Sequence, residues 1–286
     1  MRALRILILT TTLGVAPIAA AHAGSSQAAD PVLAAAEIRD LSRQIEQALA
    51  ERGAYVALVA RTGRDPEDLP KGVRYTHVAF WVYSDLALAD GGVVRAYRVH
   101  NLYQQADRPH ISDLIEDNPV DFVAGAVEPG VGIVIPTVEV QARLIDLLSG
   151  PVADDLHNPS YSVLANPDNN RFQNCTEYSL NLLVAALHAT GDIGVVKREI
   201  AEDFTAQRIR LNPFARAFGP VFLREVRTSD HRGAIRTATF TTIFRYLDAL
   251  GVVQEAMHLT PDGVAPLPIG QPRASGSKPQ TDPDHG

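Results

Sequence analysis

Two β-rich runs joined by a tight turn constrain this chain most. Arg74 to Tyr83 reads Arg-Tyr-Thr-His-Val-Ala-Phe-Trp-Val-Tyr, and Val93 to Leu102 follows after Asp90-Gly91-Gly92. Aspartate and paired glycines between such runs predict a hairpin. On the pleat His77, Ala79, Trp81 and Tyr83 share one face, and Val78, Phe80 and Val82 share the other. With that turn at the centre, mirror positions sum to about 180, so residue 77 lies opposite about 103, give or take a residue.

The rest of the chain predicts helices packed on a small antiparallel sheet, an α+β fold. Leu33, Ile38, Leu41, Ile45 and Leu49 recur at helical spacing between Pro31 and Arg52. Ala54 to Ala60 is a short β-rich run. Phe122 to Val127 and Val131 to Ile135, around Glu128-Pro129-Gly130, read as a second hairpin, and Thr137 to Leu148 as a helix. A polar, Asn/Pro-rich loop from Asn158 to Asn174 leads into a helix from Cys175 to about Ala189. Further helices are expected near Gly194 to Arg210, Pro213 to Phe218 and Thr237 to Leu250. From Thr260 the chain turns to Pro, Gly, Ser and Asp, the composition of a disordered tail.

Residues 1 to 23 read as a secretory signal. Arg2 and Arg5 precede an apolar core from Ile6 to Ala20, and Ala21-His22-Ala23 gives a small-x-small cleavage pattern. No cysteine follows to take a lipid. The expected organisation is therefore a cleaved signal at 1–23, one domain at 24–259 and a tail at 260–286. The destination is the periplasm, with no transmembrane anchor in the mature chain. The whole chain holds 286 residues, with 26 Lys and Arg against 33 Asp and Glu, for a net charge of −7. No basic run or basic aromatic stripe occurs, which argues against nucleic acid as a partner.

Cys175 is the only cysteine, so it has no intrachain disulfide partner. Asn174-Cys175-Thr176-Glu177 resembles a capping box, with Asn174 as N-cap and Cys175 in the first turn. Unpaired N–H groups there favour thiolate. A free cysteine is most often a small buried hydrophobe. In an exported, oxidising setting a lone thiol is instead a candidate reactive group. His77, inside a strand otherwise committed to packing, is the favoured base. His231 beside Asp230 is a weaker one, while His188 sits a full helix length from Cys175. His100, or its neighbour Asn101, is placed to orient the His77 ring, and the register estimate favours His100. There is no His-Glu-x-x-His and no cysteine pair, so no metal or cofactor is expected.

Tyr75-Thr76-His77-Val78-Ala79-Phe80-Trp81-Val82, followed by a polar residue on the next strand and a later Asn174-Cys175-Thr176-Glu177-Tyr178, resembles the circularly permuted papain-like thiol hydrolases. These are relatives of the NlpC-type cell-wall peptidases and of lecithin retinol acyltransferase. In that branch the histidine strand precedes the cysteine helix, as here. The stretch from about Ala54 to Leu250 also resembles an uncharacterised bacterial family of unknown function. The resemblance implies a permuted papain-like core with extra C-terminal helices. It makes Cys175 the nucleophile, His77 the base and His100 the orienting residue. It implies an exported cysteine hydrolase or acyltransferase acting on an amide or ester carbonyl, with cell-wall peptides or another small acyl or amide compound as substrate. The alternative is a non-catalytic periplasmic binding or scaffold protein on a disabled version of the same fold.

Overall fold

The computed structural model describes residues 30–87, 91–210 and 226–268. The expected signal at 1–23, the expected helix at 213–218, Asp90 of the hairpin turn and everything after 268 lie outside the described residues.

Seven antiparallel strands form one sheet in the order β4-β3-β2-β1-β5-β8-β9. They are β1 (Val56–Arg61), β2 (His77–Ala87), β3 (Val93–Gln104), β4 (Ser112–Asp117), β5 (Val131–Pro136), β8 (Val253–Thr260) and β9 (Gly263–Pro266). A separate two-stranded ribbon pairs β6 (Gln207–Arg208) with β7 (Arg236–Thr237). β1 is the central strand and every residue of it is buried. Its unbroken Val-Ala-Leu-Val-Ala run suits a strand covered on both faces.

The cover is helical on each side. Ile38, Leu41, Ile45 and Leu49 of α1 (Ala35–Glu51) and Phe122 of α2 (Pro119–Ala124) pack with Ala57, Val59, Ala79, Trp81 and Val99. On the other face, Val56, Leu58, Val78 and Phe80 meet α3 (Val138–Ser149), α5 (Cys175–His188), α6 (Ile193–Asp203) and α7 (Phe240–Ala249). A single turn, α4 (Val152–Asp155), follows α3. Twelve consecutive residues of α5, Cys175 to Ala186, are buried. That run includes the polar Thr176, Glu177, Ser179 and Asn181, so α5 is an interior helix enclosed on every side.

The hairpin register follows the mirror rule. Phe80 pairs with His100, Trp81 with Val99 and Ala87 with Val93. Gly91, at φ 84°, supplies the left-handed backbone of the turn. Other expectations need correction. The run at Phe122 to Val127 is not a strand but contributes to α2. Asn118 caps that helix, accepting from Asp121 N–H at 3.0 Å, and Pro119 takes its first position. Those two residues are a strong helix start and outweigh the apolar run behind them. The helix expected to reach Arg210 stops at Asp203, and Gln207–Arg208 is extended. The expected tail starts too early: Gly263–Pro266 is β9, paired with β8, and Leu267 is buried in the core. No single described helix is long and apolar enough to cross a membrane.

Candidate functional site

The N-terminus of α5 is held by a collar of polar bonds. Asn174 Oδ1 accepts from Glu177 N–H at 2.9 Å, completing the cap that the sequence predicts. Asn174 Nδ2 donates to Val163 O, and the Thr176 hydroxyl lies 2.8 Å from Ala238 O. The second half of the expected capping box does not form. The buried Glu177 carboxylate meets Lys197 Nζ at 2.5 Å instead, and Lys197 also donates to Pro167 O.

Within this collar Cys175 is the first residue of the helix and is 3 % exposed. Its Sγ lies 3.9 Å from Thr76 O, and the backbone N–H groups of Val78, Thr176 and Cys175 itself favour its ionised form. The thiol thus rests against the two peptide groups that flank His77. The His77 ring is fully buried and stacks on Tyr103, with centroids 4.9 Å apart and 15° between planes. The Phe122 ring lies 5.6 Å away, tilted by 37°. The thiol and the ring are not hydrogen-bonded to each other in this conformation.

His77 Nε2 lies 2.9 Å from Asn101 Oδ1. The Asn101 amide nitrogen faces Val99 O at 3.3 Å and Asp117 Oδ2 at 3.4 Å, both acceptors, which fixes the oxygen toward His77. Nε2 therefore carries the proton, and Nδ1 keeps a lone pair. Nδ1 is buried and has no partner. A ring with one nitrogen anchored and the other left open to accept a proton is the arrangement a general base needs.

His100 is not the orienting residue. It pairs with Phe80, so it projects from the face opposite His77, and its Nδ1 lies 3.7 Å from Glu116. Positions on one face of an antiparallel pair differ by even steps, and His100 is an odd step from Tyr103, which stacks on His77. Asn101 occupies that face. Three other histidines are engaged elsewhere. His231 Nε2 donates to Leu164 O at 2.9 Å, His188 pairs with Glu199, and His157 meets Ser112.

One site residue is absent from the sequence reading. Arg61, directly opposite His77 on β1, is fully buried. Its guanidinium lies 5.1 Å from the Phe122 ring and 5.8 Å from Tyr103, and donates to Phe122 O. Gly125 makes the space, because a Cβ there would sit 2.1 Å from Arg61 Nη1. The signal was present: an arginine ending an apolar strand, with a glycine placed to receive it.

Electrostatics decide the protonation states. Burial pushes the Cys175 thiol up to about 11, outweighing the three N–H donors and the Arg61 charge, which both favour thiolate. The expected thiolate does not form here, because the same packing that builds the helix start also excludes water. Burial, then the Arg61 cation, hold the His77 imidazole well below its ordinary range, with the Asn101 bond opposing. Both groups are neutral at pH 7. Among the described residues no group of three or more His, Cys, Asp or Glu side chains is placed to hold a metal ion.

Residues 48–247 match the model of a family described as an uncharacterised protein conserved in bacteria, DUF2145. No curated protein and no solved structure matches the chain.

Proposed function

We propose, for a chain that belongs to the bacterial DUF2145 family, a cysteine hydrolase or acyltransferase built on Cys175, His77 and Asn101. One observation carries the reading. His77 is anchored through Nε2 by Asn101 and presents an unpartnered Nδ1, while Cys175 rests against the peptide groups on either side of it. Because both groups are neutral, the chemistry is general-base attack rather than attack by a standing ion pair. The His77 ring lies among Tyr103 and Phe122 while Cys175 packs with Val78 and Phe80 on the α5 side of the sheet, so the attack requires a shift that brings Nδ1 to Sγ. Nδ1 then takes the thiol proton as Sγ adds to an amide or ester carbonyl. The N–H groups of Cys175 and Thr176 stabilise the oxyanion. The imidazolium returns its proton to the departing amine or alcohol, leaving a thioester that water or an acceptor resolves. The signal-like N-terminus and the likeness to permuted papain-like hydrolases support a periplasmic setting and cell-wall peptides as the substrate class.

The near-complete burial of Cys175 favours the rival reading, a binding scaffold in which the cysteine only packs. Acylation of the full chain by p-nitrophenyl acetate, followed by intact and peptide mass spectrometry, separates the two. The hydrolase reading expects an acyl group on Cys175 that is lost in His77→Ala, slowed in Asn101→Ala and unchanged in His100→Ala. Absence of acyl on Cys175 together with no p-nitrophenol release above that of Cys175→Ala, or equal acylation in His77→Ala, would establish the scaffold reading.

A further inference from the structure

A polar cleft of about 580 Å³ lies between residues 166–171 and 229–236. Its walls are tied across the gap rather than left to drift. Asn166 N–H donates to Asp230 Oδ2 at 2.8 Å, and the Asn166 and Asn169 amides both donate to Asp230 O. Arg171 Nη1 donates to Ser229 O at 2.9 Å, and its guanidinium lies over the Phe172 ring at 5.6 Å. These bonds set the shape of the cleft before any ligand arrives, which reduces the entropic cost of binding.

The charge of the cleft is opposite to that of the chain. Arg171, Arg232 and Arg236 line it, although the protein carries a net charge of −7. Asp230 is turned inward: its side chain has no exposure, Oδ2 is held by Asn166, and Oδ1 lies 3.3 Å from His231 Nε2. Asp168 is the one exposed carboxylate on the walls. Among the described residues neither the Arg232 nor the Arg236 guanidinium is in an ion pair or hydrogen bond, and both residues are exposed; the bond from Arg236 to His231 Nδ1 is made by its backbone N–H. At Gly233 an added Cβ would meet nothing within 4 Å, so the backbone between these two arginines borders open space. Guanidinium forks suit carboxylate and phosphate oxygens, which they hold in paired hydrogen bonds.

We infer that this cleft, its shape set by the Asn166 and Asn169 amides, is a binding site for a small ligand bearing an oxyanion, a carboxylate or a phosphate, held by Arg232 and Arg236. The site does not depend on the hydrolase reading, because none of its residues takes part in the proposed attack.

Isothermal titration of the full chain at fixed ionic strength tests it, with inorganic phosphate, N-acetylalanine and N-acetylalanine amide as probes. Saturable one-site binding of phosphate or of N-acetylalanine, but not of the amide, is expected. Phosphate alone binding would name a phosphate ligand, N-acetylalanine alone a carboxylate, and displacement of one by the other a site open to either oxyanion. Arg232→Ala/Arg236→Ala should weaken binding at least about tenfold, and the double lysine variant should fall between, because it keeps charge without the fork. Unchanged melting temperatures would show that both variants remain folded. No saturable binding of either anion, equal binding of the amide, or wild-type affinity in the double alanine variant would overturn the inference.

Discussion

The most direct test of the site is the reactivity of Cys175, and its sign is opposite to what a helix start suggests. An ordinary cysteine near 9 is about one part in a hundred thiolate at pH 7, whereas a thiol held at about 11 is about one part in ten thousand. Alkylation requires thiolate, so ionisation alone slows the folded protein about a hundredfold relative to the unfolded chain. A side chain only 3 % exposed slows it further, because the reagent must wait for the packing to open. The assay is iodoacetamide labelling at pH 7, followed by mass spectrometry, on the native chain and on the same chain in urea. Cys175 is the only cysteine, so every adduct reports on it. A native rate equal to or above the denatured rate would refute the argument that burial outweighs the helix N–H groups and the Arg61 charge.

Asn101→Ala should cost about 1–3 kcal/mol in urea unfolding, because it leaves the buried His77 N–H without an acceptor. His100→Ala, on the partly exposed opposite face, should cost less than about 1 kcal/mol. Gly125→Ala should cost more than about 2 kcal/mol, since its Cβ would displace the enclosed Arg61 guanidinium, and a melting temperature near wild type would contradict that packing. Glu177, buried against Lys197, is raised to about 7 from 4.5. Its protonated form is favoured by folding, so that stability is complete below pH 4.5 and is lost as pH rises through 7, by up to about 3 kcal/mol. Glu177→Gln/Lys197→Met should flatten this dependence, and an undiminished slope in urea titrations between pH 5 and 8 would assign it to other groups.

What the sequence made legible was whatever local chemistry determines. The Asn174 cap, the start of α5 and the hairpin register were all readable, because an N-cap, an apolar helix and a glycine turn act through near neighbours. β4 and β8 were not. Ser112–Asp117 is a polar run that becomes a strand only because β3 offers it a ladder, and Val253–Thr260 likewise depends on β5. Parity was available and decisive. With Phe80 opposite His100, the alternation of a pleated strand puts Asn101, and not His100, on the face of His77. Burial was the part that local pattern could not supply. Nothing in Asn-Cys-Thr-Glu indicates that α5 will be enclosed by the sheet and by α3 and α6.

That enclosure changes the chemistry the site can perform. A helix start contributes about half a positive charge and a few N–H donors, enough to lower the pKa of a thiol that keeps contact with water. Removing the thiolate from water costs more than those groups return, even with the Arg61 cation within range of the sulfur. The same cation acts on both partners in opposite ways. It favours thiolate at Cys175 and disfavours imidazolium at His77. A thiolate–imidazolium pair would gain from Arg61 on one side and lose on the other, so Arg61 cannot stabilise the pair as a unit. What it leaves is a neutral His77, proton fixed on Nε2 by Asn101, with Nδ1 free to accept. In the attack proposed above, the proton would move only when an electrophile draws the sulfur into bond formation, which would tie reactivity to a bound acyl group rather than to the resting thiol.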